Sequence, residues 1–379
     1  MIRIFKRLPG VIFMALLLGL AGKEALSHQR TYSAIEKREL QTRPEISTKH
    51  ILDGSFQKKY ESYLRDQFPE RDHWVLFQTD VELFMGKKEI HNVYIGKNNY
   101  LLEHYTTEEF DPQQISKNLQ ALEQFVEKAK QNAEVHVMMV PTKSWVLREK
   151  LPAFAPHYNE QKFYDALQQK LGEENVLISV EPELDAHKEE EIYYRTDHHW
   201  TTLGAWYGYE QYTKSVGGDL QRAQEKRKFR CISKDFYGTT YAKINYARQA
   251  DKIQIYEPAD TLHVVYNMGE KKTDTLYDFS FLKTADQYSV FTGGNQAVLE
   301  ITGGIKNGKT LLLIKDSFAN SILPFLAEDY EKLVVVDLRQ LNVSGNQLLE
   351  MFSPTDVLIL YNSAQFAQDK EFEIKCARW

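Results

Sequence analysis

The sequence predicts an α/β fold, with a parallel sheet preceded by a helical arm and interrupted by a β-rich insertion. The chain has 379 residues, of which 42% are hydrophobic and 26% charged, as is ordinary for a globular protein. Short apolar runs alternate with segments in which apolar residues recur every three or four positions. This alternation of buried strands and amphipathic helices is typical of α/β domains. The length fits one large domain with an appendage, or two domains.

Residues 1 to 28 have the pattern of an export segment. Arg3, Lys6 and Arg7 precede an apolar run at residues 8 to 22. The run is short for a membrane-spanning helix, which needs ~20 residues, and residues 25 to 27 form an acceptable cleavage site. A cleaved signal peptide and an uncleaved membrane anchor both remain open. Either one places the rest of the chain outside the cytoplasm.

A polar tether and a helical arm are predicted for residues 29 to 105. Residues 29 to 50 are polar and charged, whereas apolar residues recur at helical spacing from residue 51 to residue 85. The helical pattern breaks at Phe68-Pro69. A short β-hairpin is predicted at residues 93 to 102, where two apolar runs flank a polar turn.

Residues 106 to 379 are predicted to form the main domain, with an insertion at about residues 219 to 305. The insertion is rich in Thr, Tyr, Lys and Gly, and is interpreted as a set of short strands. A helix is predicted to begin at a cap formed by Thr201 or Thr202. Two further helices are predicted at residues 115–129 and 163–171. Apolar, β-branched runs predict strands at residues 135–140, 175–179, 310–314, 332–337 and 356–360.

The first stretch that carries chemistry is Asp197-His198-His199-Trp200. Residues two apart on an extended segment point to the same side, which predicts that the Asp197 carboxylate reaches the His199 ring. A carboxylate that orients an imidazole forms two thirds of an acid/base triad. His198 is then expected to point the opposite way and to have a structural role. The alternative is a surface loop with a solvated Asp197 and a packed His199.

Ser317 is the predicted nucleophile. It follows the predicted strand at residues 310–314 and stands at the start of a helix. Parallel sheets bind ligands at this edge, and a helix N-terminus offers N–H groups to a developing oxyanion. His199 would act as the base, with Asp197 fixing its tautomer. The alternative is that Ser317 only caps the helix, because serine is a favoured cap.

Other kinds of site have less support from the sequence. With a net charge of −6 and no basic stripe, no nucleic-acid partner is predicted. We expect no cofactor and no metal, because three neighbouring ligands at residues 197 to 199 do not easily converge on one ion. The two cysteines, Cys231 and Cys376, either form one disulfide or remain thiols.

Two motifs resemble a known family. The stretch from Thr196 to Thr201 resembles the signature of the DHHW proteins, and the stretch from Lys315 to Ser321 matches that family's serine block. These proteins resemble the alginate O-acetyltransferases of the AlgJ and AlgX type, a branch of the SGNH hydrolase-like superfamily. Residues 96–101, 140–143 and 336–339 fit weaker motifs. The resemblance covers most of the chain from about residue 50 onward, and implies an SGNH hydrolase-like (flavodoxin-like) parallel sheet.

The resemblance also implies an extracytoplasmic serine O-acyltransferase or esterase that uses Ser317, His199 and Asp197. Its substrates would be an acetyl donor and a polysaccharide acceptor, and its partner would be a membrane-bound O-acyltransferase. The sequence departs from the common SGNH pattern, because Lys315 replaces a usual Gly and no Gly-x-Asn-Asp block is present. The Asp and His also precede the Ser. Candidates for the oxyanion hole are the Ser317 backbone, Asn320 and Asn362.

Three residues are predicted to bind substrate: Arg339, Asn320 and Tyr241. Arg339 would orient a polar substrate, with a surface salt bridge as the alternative. Tyr241, together with Tyr237 and Tyr246, would line a sugar groove, with core packing as the alternative. The leading hypothesis is transfer of an acyl group, most simply acetyl, to a cell-surface or secreted polysaccharide. The alternatives are a carbohydrate esterase with the same three residues and a non-catalytic glycan-binding or assembly protein.

Overall fold

The structure, a computed structural model, describes residues 10 to 376 except 16, 17, 21, 24, 25, 34 and 173 to 175. It contains two compact units. The smaller unit comprises Met1–Lys87 and Ala242–Tyr246, and the larger comprises Lys88–Tyr241 and Ala247–Trp379. The predicted apolar export run, residues 8 to 22, lies partly outside the described residues. No helix within the described part of the chain combines the length and apolar character needed to cross a bilayer.

The smaller unit contains the predicted helical arm. The helical pattern is interrupted near Pro69, as the sequence predicts, because a new helix begins at Arg71. The buried Asp66 carboxylate accepts two hydrogen bonds from Arg38, which ties the end of one helix to a short strand. The elements of the smaller unit are β1 (Tyr32–Ser33), β2 (Arg38–Glu39), α1 (Thr48–Leu52), α2 (Ser55–Asp66) and α3 (Arg71–Phe84).

The strands of the larger unit include all the predicted ones whose residues are fully described. The predicted strand at residues 175–179 forms only an isolated bridge from Leu177 to Val137, and residue 175 lies outside the described residues. The strands are β3 (Glu89–Ile90), β4 (Val93–Ile95), β5 (Leu101–Glu103), β6 (Glu134–Val140), β7 (Phe229–Phe236), β8 (Asp251–Tyr256), β9 (His263–Tyr266), β10 (Lys271–Thr273), β11 (Val298–Thr302), β12 (Thr310–Lys315), β13 (Lys332–Val336) and β14 (Asp356–Asn362).

A seven-stranded mixed sheet forms the centre of the larger unit. Its strand order is β10-β9-β11-β13-β12-β14-β6. The last four strands in this order are parallel to one another, as expected from the sequence. The other three strands, which come from the predicted insertion, join the sheet antiparallel. The insertion therefore extends the main sheet, whereas its β7 and β8 form a separate ribbon.

Both faces of the sheet are buried, because alternate side chains of each strand point to opposite sides. In β12, Leu311 and Leu313 belong to one core cluster, whereas Leu312 and Ile314 belong to the other. The helices are α4 (Pro112–Ala129), α5 (Lys143–Val146), α6 (Gln161–Leu171), α7 (Glu181–Ala186), α8 (Thr202–Ser215), α9 (Leu220–Glu225), α10 (Thr239–Ile244), α11 (Leu323–Leu326), α12 (Gly345–Phe352), α13 (Ser363–Gln368) and α14 (Lys370–Cys376).

The helices cover the two faces in different ways. α8 packs on the first face, and Thr201 caps it by accepting a hydrogen bond from the Gly204 N–H, as predicted. α4, α6 and α12 to α14 contribute to the core on the second face. Both cysteines are free thiols, Cys231 exposed and Cys376 buried.

β6, β12 and β14 end together at the carboxyl edge of the parallel strands, where ligands bind in open α/β sheets.

Candidate active site

Ser317 lies where the central parallel strand leads into a helical turn. β12 ends at Lys315, and the 3₁₀ turn Ser317–Ser321 follows it. Asp316 caps this turn, because its Oδ1 accepts a hydrogen bond of 2.9 Å from the Phe318 N–H. Its Oδ2 accepts one of 2.8 Å from the Asn362 N–H. The Ser317 hydroxyl is therefore not used as a cap.

The Asp197-His198-His199 segment is a tight turn, not the extended segment expected from the sequence. An antiparallel bridge between Tyr193 and Trp200 closes the turn, and the His199 N–H donates to Asp197 Oδ1 at 3.0 Å. Such side-chain to backbone bonds two residues apart are typical of turns, in which side chains do not alternate. The His198 ring lies next to the His199 ring, with 3.8 Å between centroids. The expectation that His198 points the opposite way is therefore wrong.

Three side chains form a continuous hydrogen-bonded series. His199 Nδ1 lies 2.5 Å from Asp197 Oδ1, and His199 Nε2 lies 2.8 Å from Ser317 Oγ. Asp197 and His199 are buried, while Ser317 is partly exposed. A carboxylate at Nδ1 favours the tautomer that keeps its proton there and leaves Nε2 as an acceptor. This geometry allows the imidazole to take the serine proton while the serine remains accessible to a ligand.

Burial sets the protonation of the imidazole, whereas neighbouring groups and hydrogen bonds set that of the carboxylate. It lowers the pKa of His199 to about 4; the charge of His198 acts in the same direction, and Asp197 opposes both. Burial also tends to raise the pKa of Asp197, but the adjacent imidazoles and the hydrogen bonds that it accepts hold that pKa well below its ordinary value. At neutral pH the imidazole is therefore neutral and the carboxylate charged. This is the state that a general base requires.

The second oxygen of Asp197 is held by the segment that follows β7. Asp197 Oδ2 accepts hydrogen bonds from the Thr239 N–H and hydroxyl at 2.7 and 3.0 Å. Gly238 permits this close approach, since a Cβ added there would lie 2.1 Å from the Asp197 Cβ. Neither Gly238 nor Thr239 was identified from the sequence. No local pattern links Thr239 to a carboxylate 42 positions earlier.

Two buried charges hold the backbone of the turn. The Lys143 ammonium donates to three of its carbonyl groups, most closely to that of Asp197 at 2.7 Å. The Asp251 carboxylate accepts from the N–H and the hydroxyl of Thr196, at 2.7 and 2.6 Å. Lys143 falls in one of the weaker family motifs, whereas Asp251 had no signal in the sequence. Both residues fix the turn that presents Asp197 and His199.

Tyr288 covers one face of the His199 ring. The two rings are stacked, with 3.9 Å between centroids and an interplanar angle of 8°. The buried Tyr288 hydroxyl donates to the Ser317 carbonyl at 3.1 Å. An aromatic face attracts a cation, so this stacking favours the protonated imidazole that forms when the serine proton moves. Among 22 tyrosines, nothing in the sequence singled out this one.

Two of the predicted substrate-binding residues are engaged by other protein groups. The Arg339 guanidinium forms a two-point salt bridge with Asp337, at 2.9 and 2.6 Å. Asp337 is buried and Arg339 half-buried, so this is not the surface salt bridge given as the alternative. Asn320 is buried, and its Oδ1 accepts a hydrogen bond of 2.8 Å from Lys315 Nζ. Within the described part of the chain, neither side chain forms a hydrogen bond to Ser317.

The third predicted substrate-binding residue, Tyr241, lies beside the turn. Its N–H donates to the Thr196 carbonyl at 2.8 Å, and its ring lies beside that of Tyr237 with 4.8 Å between centroids. Both rings are partly exposed. Tyr246, the third predicted member of the sugar groove, belongs to the smaller unit. The larger unit therefore contributes a pair of tyrosines near the turn.

The proposed oxyanion donors differ in availability. The Asn362 amide is occupied, because its Nδ2 donates to the Val140 carbonyl at 3.1 Å and its Oδ1 accepts from the Ala364 N–H at 3.2 Å. The Phe318 N–H donates to Asp316. The Asn320 Nδ2 group donates only at 3.5 Å, to Asn295 Oδ1. The Ser317 N–H and the Asn320 amide are therefore the predicted candidates that remain.

Asp197, His198 and His199 also place one potential metal-ligand atom each within 4.8 Å of one another. The expectation that three neighbouring positions do not easily converge is therefore wrong for this turn. All three side chains, however, take part in hydrogen bonds: those of Asp197 and His199 in the series above, and His198 Nδ1 with the Thr239 hydroxyl at 2.6 Å. The donor set fits proton transfer better than ion binding.

The fold and this site define an α/β protein with an Asp-His-Ser series at the carboxyl edge of a mixed sheet. A family model described as DHHW protein matches residues 112 to 336. The matched region contains both motifs and more than half of the chain. The protein belongs to the DHHW family, as the sequence resemblance predicted.

Solved structures with a TM-score above 0.5 share the fold of this protein. A DHHW family protein from Eubacterium siraeum is 23% identical, with a TM-score of 0.62 over 76% of this chain and 96% of that one. Bacillus cereus PatB1 is 20% identical, with a TM-score of 0.59 over 73% and 97%, and another PatB1 structure carries a sulfonyl adduct. The O-acetyltransferase domain of Pseudomonas putida AlgJ is 13% identical, with a TM-score of 0.46 over 76% and 98%. The comparison with curated proteins found no match.

Gly238→Ala tests the support of the Asp197 carboxylate. A Cβ at position 238 would lie 2.3 Å from Asp197 Oδ2, so the carboxylate must move away from Thr239 and from His199. We expect a loss of stability of about 1–3 kcal/mol, as for overpacked sites, and a change in the low-field NMR resonance of the His199 Nδ1 proton.

Gly303→Ala is the matched control, because the nearest atoms to its added Cβ lie at 3.3 and 3.4 Å. It should retain the resonance and most of the stability. An unaltered resonance and unaltered unfolding of Gly238→Ala would contradict the assigned role of Gly238.

Proposed function

We propose that this protein is an extracytoplasmic serine O-acyltransferase with an SGNH hydrolase-like fold, which transfers an acyl group, most simply acetyl, to a cell-surface or secreted polysaccharide. The observation that carries the proposal is the hydrogen-bonded series from Asp197 through His199 to Ser317. Such a series activates a serine for acyl transfer. The resemblance of the two motifs to O-acetyltransferases supports this class of reaction.

In the first half-reaction, Ser317 Oγ attacks the carbonyl carbon of the acyl donor while His199 Nε2 takes the hydroxyl proton. Asp197 stabilises the resulting imidazolium. The bond between the acyl carbon and the donor's leaving group then breaks, and His199 gives the proton to that group. The acyl group is left as an ester on Ser317.

In the second half-reaction, a sugar hydroxyl attacks this ester and gives its proton to His199. The bond to Ser317 Oγ breaks, and the serine recovers its proton from the imidazolium. The negative charge on the carbonyl oxygen needs a fixed donor in both steps, and we assign this role to the Ser317 N–H. A water molecule in place of the sugar would make the protein an esterase.

The choice between sugar and water depends on how the acceptor is held. Positioning a sugar hydroxyl next to the acyl group lowers the activation free energy by up to about 7–11 kcal/mol in favourable cases. This is enough to favour the sugar hydroxyl over bulk water. We propose that the sugar stacks on Tyr237 and Tyr241, because both rings are partly exposed. The Tyr241 N–H is also hydrogen-bonded to the Thr196 carbonyl of the turn. Aromatic faces combine apolar area with a polar edge, which suits a sugar.

We also propose a cellular location and a partner for this protein. The basic and apolar residues 1 to 28 would anchor the chain to the cell membrane or be removed during secretion. A membrane-bound O-acyltransferase of the MBOAT type would supply the acyl group from the cytoplasmic side. Neither nucleic acid nor a cofactor has a role in this mechanism.

Covalent labelling tests the nucleophile. A sulfonyl fluoride should modify Ser317, because His199 removes the hydroxyl proton as sulfur is attacked; mass spectrometry of peptides would locate the adduct. Ser317→Ala should lose labelling and reduce hydrolysis of an activated acetyl ester by about 10³-fold or more. Ser215→Ala, which removes an exposed hydroxyl on α8, should leave both unchanged. Labelling that persists in Ser317→Ala would remove Ser317 from the mechanism.

The pH dependence of the same labelling reaction tests the state of His199. Only the neutral imidazole can accept the proton, so the rate should fall as pH drops through the lowered pKa of His199, about 4, and not near the ordinary value of about 6.5. We expect a nearly constant rate between pH 7 and about pH 5. Circular dichroism at each pH would verify the fold. An inflection at pH 6.5 or above in folded protein would refute the buried, neutral imidazole.

Product analysis distinguishes acyl transfer from hydrolysis. The protein would be incubated with an acetyl donor, with and without candidate glycans, and mass spectrometry would follow the acetyl group. We expect acetylated glycan and faster donor consumption when an acceptor is present. Tyr241→Ala should lower the fraction of acetyl that reaches the glycan, while release of free acetate continues. Free acetate alone with every glycan would favour an esterase, and no product from folded protein would favour a non-catalytic glycan-binding or assembly protein.

A further inference from the structure

Helix α3 in the smaller unit carries an exposed apolar stripe. Five large apolar side chains on it or directly after it are exposed: Trp74 by 54%, Phe77 by 60%, Val81 by 39%, Phe84 by 93% and Met85 by 74%. Their spacing of three and four positions places them on one face of a helix with 3.6 residues per turn. We call these five residues the α3 stripe.

The α3 stripe is not the side by which the helix joins its own core. Thr79 is buried, and its hydroxyl donates to the Ile244 carbonyl at 2.9 Å within the same unit. At 100° per residue, Thr79 lies about 140° around the helix from Trp74. α3 therefore has one face that packs internally and a second, apolar face exposed to solvent. Contiguous exposed apolar surface of this kind marks an interaction site.

A second exposed apolar segment lies at the N-terminal side of the same unit. Five large apolar side chains there are exposed by more than half: Val11, Ile12, Phe13, Met14 and Leu18. Leu20 in the same segment is half-buried. Two ion pairs connect the end of this segment to the start of α3. Lys23 Nζ lies 2.6 Å from Glu70 Oε1, and Arg30 Nη1 lies 2.7 Å from Asp72 Oδ2. The two apolar surfaces therefore belong to neighbouring parts of one compact unit.

We propose that the α3 stripe lies in the interfacial region of a lipid bilayer, with the helix axis parallel to the membrane plane. This inference rests on one of the two outcomes of the proposed function, in which residues 1 to 28 are retained as an anchor and bring α3 to the same surface. The composition fits such a position. Trp is enriched at the depth of the headgroups, Trp and Phe are typical of the apolar face of an interfacial helix, and Lys87 and Lys88 follow the stripe.

The size of the stripe favours lipid over a protein partner. A protein interface of standard size uses roughly 20–30 residues a side, whereas the stripe supplies five. An interfacial helix needs only one apolar face, inserted by about 5–10 Å. Polar residues such as Gln78 and Asp80 flank the stripe along the helix, as expected for an element that is only half immersed.

Spin labelling of the full chain in vesicles tests this orientation. Single cysteines would be introduced into a Cys231→Ser background, since Cys231 is the exposed thiol and Cys376 is buried. Phe77→Cys and Phe84→Cys report on the stripe, and Gln78→Cys is the matched control on the same helix. Vesicles of phosphatidylethanolamine and phosphatidylglycerol would carry the protein, and collisions with oxygen and with a water-soluble nickel chelate would be measured.

We expect labels at 77 and 84 to lose collisions with the nickel chelate and gain collisions with oxygen, while the label at 78 stays accessible to the chelate. If the protein floats with the vesicles but the labels at 77 and 84 remain accessible to the chelate, the inference is overturned and the anchor is unaffected. Protein that does not float would overturn both.

Dipolar broadening between labels on two chains would identify a second copy as the occupant and would also overturn the inference. Circular dichroism of the same variants verifies the fold. Hydrolysis of an activated acetyl ester is measured separately, so that a failure of the proposed function is not mistaken for a failure of this inference. If either stripe variant does not fold, Val81→Cys reports on the same face.

Discussion

A charged carboxylate without access to water is the constraint around which the site is built. Asp197 is fully buried, and an isolated buried ion is very unfavourable unless each of its lone pairs is satisfied. Its two oxygens accept four hydrogen bonds, two from His199 and two from Thr239. A carboxylate offers about four such positions. The tight turn is what allows the backbone and the ring of His199 to reach the same oxygen.

The β-rich insertion supplies the groups that this carboxylate and its imidazole need. Thr239 and Gly238 follow β7, Asp251 begins β8, and Tyr288 comes from the loop before β11. Asp251 and Tyr288 bond to the backbone of the two motifs. Strands β9 to β11 of the same insertion continue the central sheet. The insertion is therefore part of the scaffold of the site.

The sequence identified the parts of the fold and site that depend on local patterns. Val135 to Val140 and Thr310 to Ile314 are predictable strands because both faces of the parallel sheet are buried, which gives continuous apolar runs. Asp197 and His199 are visible as a pair because they are two positions apart. Ser317 is visible because a serine follows such a run directly.

The remaining features depend on contacts between distant positions. The predicted direction of the His198 side chain is wrong because a bridge between Tyr193 and Trp200 closes the turn. No residue within the turn indicates that pairing. Gly238 and Asp251 act on residues about 40 and 55 positions away. Their types are ordinary for turns and strand ends. Only the folded structure shows that Gly238 makes room for the Asp197 carboxylate and that Asp251 binds the backbone of Thr196.

Two opposing effects on His199 set the energetics of the proposed reaction. Burial favours the neutral ring, and a pKa of about 4 against an ordinary value of about 6.5 corresponds to a preference on the order of 3 kcal/mol. The ring is thus ready to accept a proton, but its protonated form is disfavoured at rest. Asp197 at Nδ1 and the stacked Tyr288 both stabilise that protonated form. Negative charge that develops on the acyl oxygen next to Ser317 adds to this stabilisation in the transition state, where it accelerates the reaction most effectively.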